Sequence, residues 1–375
     1  MNTEYTKHSI LRIAKRYKNA KRSYLLVNPL QAKHIPVKPS DALAMMRALG
    51  EKLKDKYPTA QLIIGFAETA TAIGAAIADN YGADCKYIHT TRENYPSEEK
   101  VEFKEEHSHA VEQQLLVANL KQYIDGTDTI ILVDDELSTG KTLLNIIEVL
   151  KEKFSSLETK NIVVASLLNR LSDENLKRLS DANVACEYLL KLPEEDYDFQ
   201  VEKVCVDAPE DMCNCGDILA NYNIIKTDAE ILNPRKVISI SEYVNSCRLA
   251  ISKIVAQLSF AKTENVLVLG TEEFMYPAIL LGQTLEEIVN TVKCHSTTRS
   301  PIGVNGNKSY PIYCGYKLNS FYDDLRDTYI YDIESYDKVL VITDAKSDCT
   351  KAINCLTNIL QKKGNKEIYF IKGVK

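Results

Sequence analysis

Short apolar runs rich in β-branched residues alternate with helical patterns along almost the whole chain, and the series runs through twice. Such alternation is the signature of βαβ units and a mostly parallel sheet. Strands are predicted at Tyr24–Val27, Leu62–Gly65, 86–90, 129–133, 162–168, 266–270, 338–343 and 367–371. Helices are predicted at 40–56, 69–81, 110–123, 140–154, 241–258 and Thr350–Lys362. Three segments of the first half are echoed in order in the second. LIIGFAETATAIGAAIA from Leu62 is answered by VLVLGTEEFMYPAILLGQTL from Val266, and YIHTTREN from Tyr87 by CHSTTRSP from Cys294. TIILVDD from Thr129 is answered by KVLVITD from Lys338, at nearly equal intervals. Three ordered matches point to two related α/β domains that arose by duplication.

The chain is therefore expected to hold two Rossmann-like domains with parallel central sheets. They should span residues 1–192 and 236–375, joined by a connecting segment at 193–235. That connection is acidic at 194–198, carries CNCG at 213–216 and ends in Asn233-Pro234. A net charge of −6 argues against a nucleic-acid partner, which would call for a basic face. No apolar run approaches the ~20 residues of a membrane helix. The first residues, MNTEYTKHSILRIAKRYKNAKRSY, lack the apolar core of a signal peptide, so a cytoplasmic protein is expected. Its ten cysteines are scattered and read as reduced thiols. Cys213 and Cys215 lack the second close pair that a zinc site needs.

Residues 131–142, ILVDDELSTGKT, carry the most chemistry. An apolar strand ends in Asp134 and Asp135, a polar loop follows, and a helix begins. Ligands of open parallel sheets bind at the carboxyl ends of strands, where this turn should lie. The loop's amides face the positive end of the helix and form a cradle for phosphate. Gly140 allows the close approach or positive φ that such a loop requires. A nucleotide P-loop is excluded, because a Walker A motif needs glycine where Asp135 stands. Two adjacent carboxylates suit the vicinal hydroxyls of a ribose, which are hydrogen-bond donors.

This stretch resembles the PRPP-binding signature of type I phosphoribosyltransferases. The resemblance implies that Asp134 and Asp135 contact the ribose 2′- and 3′-hydroxyls, and that Glu136 and the loop Ser138, Thr139, Gly140, Lys141 and Thr142 hold the 5′-phosphate. It implies a Mg2+ cofactor that neutralises the departing pyrophosphate, with Asp134 and Asp135 acting on it through ribose hydroxyls or water. Carboxylates beside the sugar would stabilise an oxocarbenium-like transition state. Purine-using members carry Asp where Ser138 stands. A hydroxyl cannot act as that base, so a small, non-purine acceptor is expected and the loop is closer to that of orotate phosphoribosyltransferase.

Other parts follow in the family's order. Glu68, Thr69, Ala70 and Thr71 open a turn suited to pyrophosphate, whose charge Arg92 would pair bidentately. Residues 94–111 correspond to the family's mobile catalytic loop, where Lys104, His107 and His109 would stabilise and protonate the leaving group. Lys33 and His34, in VNPLQAKHIPV, resemble the segment that covers the acceptor.

The motif Thr298-Arg299-Ser300-Pro301 narrows the resemblance. With KHIPV at 33–37, EEHSHA at 105–110 and VDDELSTGKT at 133–142, it is similar over nearly the whole chain to a bacterial family. In that family a phosphoribosyltransferase domain precedes a TRSP domain, often within tellurite-resistance gene clusters, with a role in nucleotide-like biosynthesis implied. The second domain reads as a degenerate copy. Only Asp344 remains of the acidic pair, no glycine stands at the cradle, and Asp348 would repel phosphate. Arg299 and Ser300 are candidate acceptor contacts, or pack against the first domain, and Glu272 and Glu273 mirror Glu68. A homodimer or an intrachain pseudo-dimer is the expected assembly. The alternatives are a PRPP-binding regulator and an enzyme of another 5-phosphorylated ribosyl compound.

Overall fold

The structure, a computed structural model, describes residues 4–18, 22–103, 113–213, 221–346 and 349–372. Contacts divide the chain into two compact units that do not follow the linear boundaries at 192 and 235. The first unit comprises Ala44–Glu194 and Leu232–Ser246, and the second comprises Met1–Leu43, Glu195–Ile231 and Cys247–Lys375. The N-terminal 43 residues thus pack with the C-terminal part of the chain.

The strands of the two central sheets, in chain order, are β1 (Leu62–Gly65), β2 (Lys86–His89), β3 (Thr129–Leu137), β4 (Asn161–Asn169), β5 (Val184–Lys191), β6 (Asn223–Lys226), β7 (Ile238–Ser239), β8 (Asn265–Gly270), β9 (Thr291–Ser296), β10 (Lys338–Ile342) and β11 (Glu367–Lys372). In the first unit they run in the order β7-β2-β1-β3-β4-β5, and in the second β6-β11-β10-β8-β9. All neighbours are parallel except β7, which lies antiparallel on β2. The central strands read as continuous apolar runs because helices cover both faces. Every residue of β1 and of β10 is buried.

Each sheet reverses its winding at one place. From β1 the chain passes to β2 on one side and then to β3 on the other. From β8 it passes to β9 on one side and then to β10 on the other. The carboxyl ends flanking these reversals form crevices where α/β proteins bind ligands.

The helix over Thr71–Tyr81 (α1) is built of small residues, and Thr71 through Ala78 are all buried. A Cβ on its Gly74 would stand 3.0 Å from the Tyr87 ring and 3.1 Å from the Gly65 Cα, so the helix seats unusually close to the sheet. The helix Lys141–Lys153 (α2) buries Leu143, Ile146, Ile147 and Leu150, a single stripe at helical spacing.

The helix expected over 110–123 is corrected. Gln113–Leu116 is a strand paired antiparallel with Lys100–Phe103, and among the described residues of that span the helix covers only Leu120–Asp125. Thr91 and Gln114 exchange backbone hydrogen bonds of 2.8 and 2.9 Å, a distant pairing that local patterning does not reveal. Asn119, with φ +63°, then separates strand from helix. The connecting segment also has structure of its own. It contributes the helix Tyr197–Glu202 and edge strand β6. Among the described residues no helix is long and apolar enough to cross a membrane.

Candidate active site

The first crevice exists because β3 is longer than its neighbour. Its pairing with β1 ends at Gly65–Val133, whereas its pairing with β4 continues through Leu137–Asn169. Asp134, Asp135 and Glu136 therefore project past the end of β1, and there the strand turns from buried to partly exposed. Nothing in a pleated strand alone would expose three successive residues. Asp134 accepts a 2.8 Å hydrogen bond from the Asp135 backbone N–H. Burial first, and then the neighbouring Asp135 carboxylate, hold the Asp134 carboxyl well above the usual carboxylate range. Glu136 lies 3.6 Å from Arg170.

The loop after β1 folds back over the strand end. Ala70 N–H donates to the Phe66 carbonyl at 2.9 Å, and Phe66 N–H to that of Val133 at 2.9 Å. A Cβ at Gly65 would meet the Ala70 carbonyl oxygen at 3.0 Å, so a larger residue would push the loop away. Ala67 N–H donates to Thr90 Oγ1 at 2.8 Å, tying the loop to the end of β2. Glu68, Ala70 and Thr71 are buried. Thr69 Oγ1 donates to Asp135 Oδ1 at 2.8 Å and joins this loop to the acidic pair.

At the third corner, Gly140 has φ +72° and caps α2 without a side chain. Lys141 N–H donates to Thr139 Oγ1 at 3.4 Å, and Gly140 supplies no cap side chain. A helix start, with its positive dipole end, attracts oxyanions. Ser138 is partly buried, while Thr139, Lys141 and Thr142 are exposed. The first unit thus has an acidic pair, a folded-back loop and the Gly140 turn at the head of α2 at the carboxyl ends of its strands.

Thr90 and Thr91 are fully buried at the end of β2, and Arg92 is partly exposed. Three supporting residues were not singled out in the sequence. Thr90 Oγ1 donates to Gln113 Oε1 at 2.6 Å, and the Gln114 side-chain amide donates to the Glu93 carbonyl. Arg235, 2% exposed, donates from Nε to Thr91 Oγ1 at 3.3 Å, and the Pro234 carbonyl accepts from His89 N–H at 2.9 Å. Asn233-Pro234 reads as the end of a connection, and only the antiparallel pairing of β7 with β2 reveals that this segment returns to the sheet. Lys104, His107 and His109 lie outside the described residues, between the paired strands Lys100–Phe103 and Gln113–Leu116.

Lys33, His34, Arg299 and Ser300 belong to the second unit. Lys33 Nζ donates to the carbonyls of Glu272 and Thr297, each at 3.3 Å. Arg299 Nε donates to Glu272 Oε2 at 3.0 Å, and the Ser300 carbonyl accepts from Tyr331 OH at 2.6 Å. Glu272 and Glu273 are buried, and Asp344 accepts from Tyr322 OH at 2.6 Å.

A stability effect follows at Asp134. Because its folded-state pKa is raised, ionising it costs stability above the ordinary carboxylate range of about 4. Asp134→Asn should therefore raise the melting temperature at pH 7, by about 2–4 °C for each ~1 kcal/mol relieved. The gain should vanish as pH falls below about 4. Thermal melts at pH 7 and 3.5 check this, and a lower melting temperature at pH 7 would contradict it.

Residues 10–192 match the family model described as phosphoribosyl transferase. Residues 239–360 match that of the TRSP domain C-terminal to it. No curated protein matches the chain. Among solved structures, APRTase from Giardia lamblia with 9-deazaadenine is similar at 16% identity and a TM-score of 0.38, over 50% of this chain and 96% of that one. Adenine phosphoribosyl transferase from Trypanosoma brucei, with AMP, pyrophosphate and ribose-5-phosphate, is similar at 17% identity and a TM-score of 0.30, over 40% and 67%. Adenine phosphoribosyltransferase from Leishmania donovani is similar at 16% identity and a TM-score of 0.36, over 64% and 89%.

Proposed function

The chain belongs to the phosphoribosyl transferase family over residues 10–192 and carries a TRSP domain over 239–360, and from this we propose that it transfers 5-phosphoribosyl from PRPP to a small, non-purine acceptor. The observation that carries the reading is the crevice where Asp134 and Asp135 pass the end of β1, faced by the folded-back loop and by Gly140 at the head of α2.

In this reading Asp134 and Asp135 accept the ribose hydroxyls. The amides from Ser138 to Thr142 hold the 5′-phosphate, while residues 68–71 and Arg92 hold the diphosphate. The bond from C1′ to the diphosphate oxygen breaks, its electron pair leaving with pyrophosphate, and an acceptor lone pair forms the new bond to C1′. The two carboxylates lower the energy of the positive charge that develops on the sugar between these events. Thr69 holds Asp135 in place before the sugar arrives, which reduces reorganisation during the reaction. Lys104, His107 and His109 would cover and assist the leaving group.

Mg2+ fits this donor set. Two adjacent carboxylates that repel one another are hard oxygen donors, and Mg2+ is commonly held by one or two carboxylates together with substrate phosphates and water. Bound there, it would neutralise diphosphate charge. The acceptor preference rests on Ser138, which stands in a loop that would need a carboxylate to deprotonate a purine. The two central sheets share a strand order about their reversal points, which supports reading the second unit as a degenerate copy of the first. Assembly as a homodimer or an intrachain pseudo-dimer remains part of this proposal.

A panel of acceptors tests the reading, with pyrophosphate release from PRPP and Mg2+ as the signal. Orotate-like and other non-purine heterocycles should support release, while adenine, hypoxanthine and guanine should give at least ~10-fold less. Preferential use of adenine would overturn the non-purine assignment while keeping the transferase.

A further inference from the structure

Residues 193–238 fall between the two family matches, yet Leu232–Ser246 packs as part of the first unit. The return is made by a ladder along β2. Ile238 pairs with Tyr87 and Ser239 with Lys86. Ile240 N–H donates to the Cys85 carbonyl at 3.1 Å, and His89 N–H donates to the Pro234 carbonyl at 2.9 Å. A turn then sets the residue after the proline. Asn233 Oδ1 accepts from Arg235 N–H and the Asn233 carbonyl from Lys236 N–H, each at 3.1 Å. Pro234 supplies the fixed φ that suits the second position of such a turn. Arg235 is thereby carried to the carboxyl end of β2 and buried there.

Docking of β7 does not require a guanidinium at that position. The ladder already fixes the segment, and burying a cation is costly unless its donors are engaged. The Arg235 Nε–H is directed at Thr91 Oγ1, at 3.3 Å. The same oxygen accepts from Glu93 N–H at 3.0 Å, so its two lone pairs are engaged, one by the turn itself and one by the connecting segment. Gln114 holds the Thr91 backbone in both directions, at 2.8 and 2.9 Å, and its side-chain amide donates to the Glu93 carbonyl. Arg92 thus stands between two neighbours that are each held at more than one atom.

We infer that Arg235 is a positioning residue for the transfer: it holds the Thr91–Glu93 turn in the form that presents Arg92 to the diphosphate. The inference rests on the transferase reading above, in which Arg92 pairs with the diphosphate, and extends it. The site takes a residue from outside the stretch that matches the transferase family. A guanidinium fork must meet two oxygens at once, so a small displacement of the turn forfeits the bidentate contact. A turn fixed in advance also loses less conformational freedom when the diphosphate binds.

The test is calorimetric titration of the full chain with PRPP and Mg2+, and separately with ribose 5-phosphate, which lacks the diphosphate. Arg235→Met keeps the length of the stem but places a methyl group where Nε stands. It should weaken PRPP binding at least ~10-fold, the loss of one well-placed charged hydrogen bond, and leave ribose 5-phosphate within ~2-fold. Arg235→Gln returns an N–H donor to the Nε position and should recover PRPP affinity to within ~3-fold of wild type. In an Arg92→Gln background, Arg235→Met should cost no more than ~2-fold, because the two residues act through one contact. Should Arg235→Met fail to fold, Thr91→Val removes the same hydrogen bond from the other side, with the same expected pattern. Equal weakening of PRPP and ribose 5-phosphate, a glutamine variant no better than methionine, or a full ~10-fold loss in the Arg92→Gln background would assign Arg235 to the fold alone and overturn the inference. PRPP binding by the wild type with unaltered affinity in Arg235→Met would overturn this inference and leave the transferase reading standing. No PRPP binding by the wild type would overturn both.

Discussion

Replacing Gly140 with valine should cut kcat/KM for PRPP by roughly 100-fold, while the sheet of the first unit remains intact. Gly140 holds φ +72° at the head of α2. A left-handed conformation costs an L-residue about 1–2 kcal/mol, and more when the side chain is β-branched. The added Cβ would also meet Leu171 Cδ2 at 3.3 Å, a contact that a flexible side chain can yield. The backbone is therefore the larger problem. Relief comes from rotating Gly140 towards negative φ, which swings the amides of residues 139–142 away from a common centre. A loss of ~2.7 kcal/mol in transition-state binding corresponds to that 100-fold. Steady-state kinetics with PRPP as the varied substrate check it. Unchanged kcat/KM at an unchanged melting temperature would show that the head of α2 is not a phosphate cradle.

A larger effect is expected from Asp134→Asn combined with Asp135→Asn. Each substitution keeps size and one acceptor oxygen but removes a charge. Hydrogen bonds to a charged partner contribute about 1.5–3 kcal/mol each, so loss of both carboxylates should lower kcat/KM by about 1,000-fold or more. The loss should fall on kcat as well as KM, because the carboxylates also face charge that develops only in the transition state. Folding is not expected to suffer, since the Asp134 carboxyl is held protonated-favouring by burial and by its neighbour. Activity within ~10-fold of wild type would remove the acidic pair from the mechanism.

The sequence and the structure agree where the information is local. ILVDDELSTGKT declares a strand, an acidic end, a turn and a helix, and all four are present from Thr129 to Lys153. Hydrophobic periodicity likewise places Thr350–Lys362 to the residue. What stayed hidden depends on pairing across long separations. Gln113–Leu116 carries apolar residues compatible with a helix, and only its partners at Thr91 and at 100–103 make it a strand. Arg235 follows an Asn-Pro turn and reads as connection, yet β7 pairs with β2 just over 150 positions earlier and Arg235 is buried beside Thr91. Lys33 and His34 lie in a segment whose local sequence resembles the acceptor cover of the first domain. Their burial against Glu272, Thr297 and His295 follows instead from antiparallel bridging of Val37 with Cys294. The repeated Gly, Thr-Thr-Arg and Asp signals fall at or just past the ends of strands that hold corresponding places in the two sheet orders.

The acidic pair itself can be tested most directly by calorimetric titration of PRPP with Mg2+ into the wild-type chain and into the Asp134→Asn/Asp135→Asn variant. Saturable binding by the wild type, weakened at least ~100-fold in the variant, is the predicted result. Equal binding by both proteins, or none by either, would contradict the account.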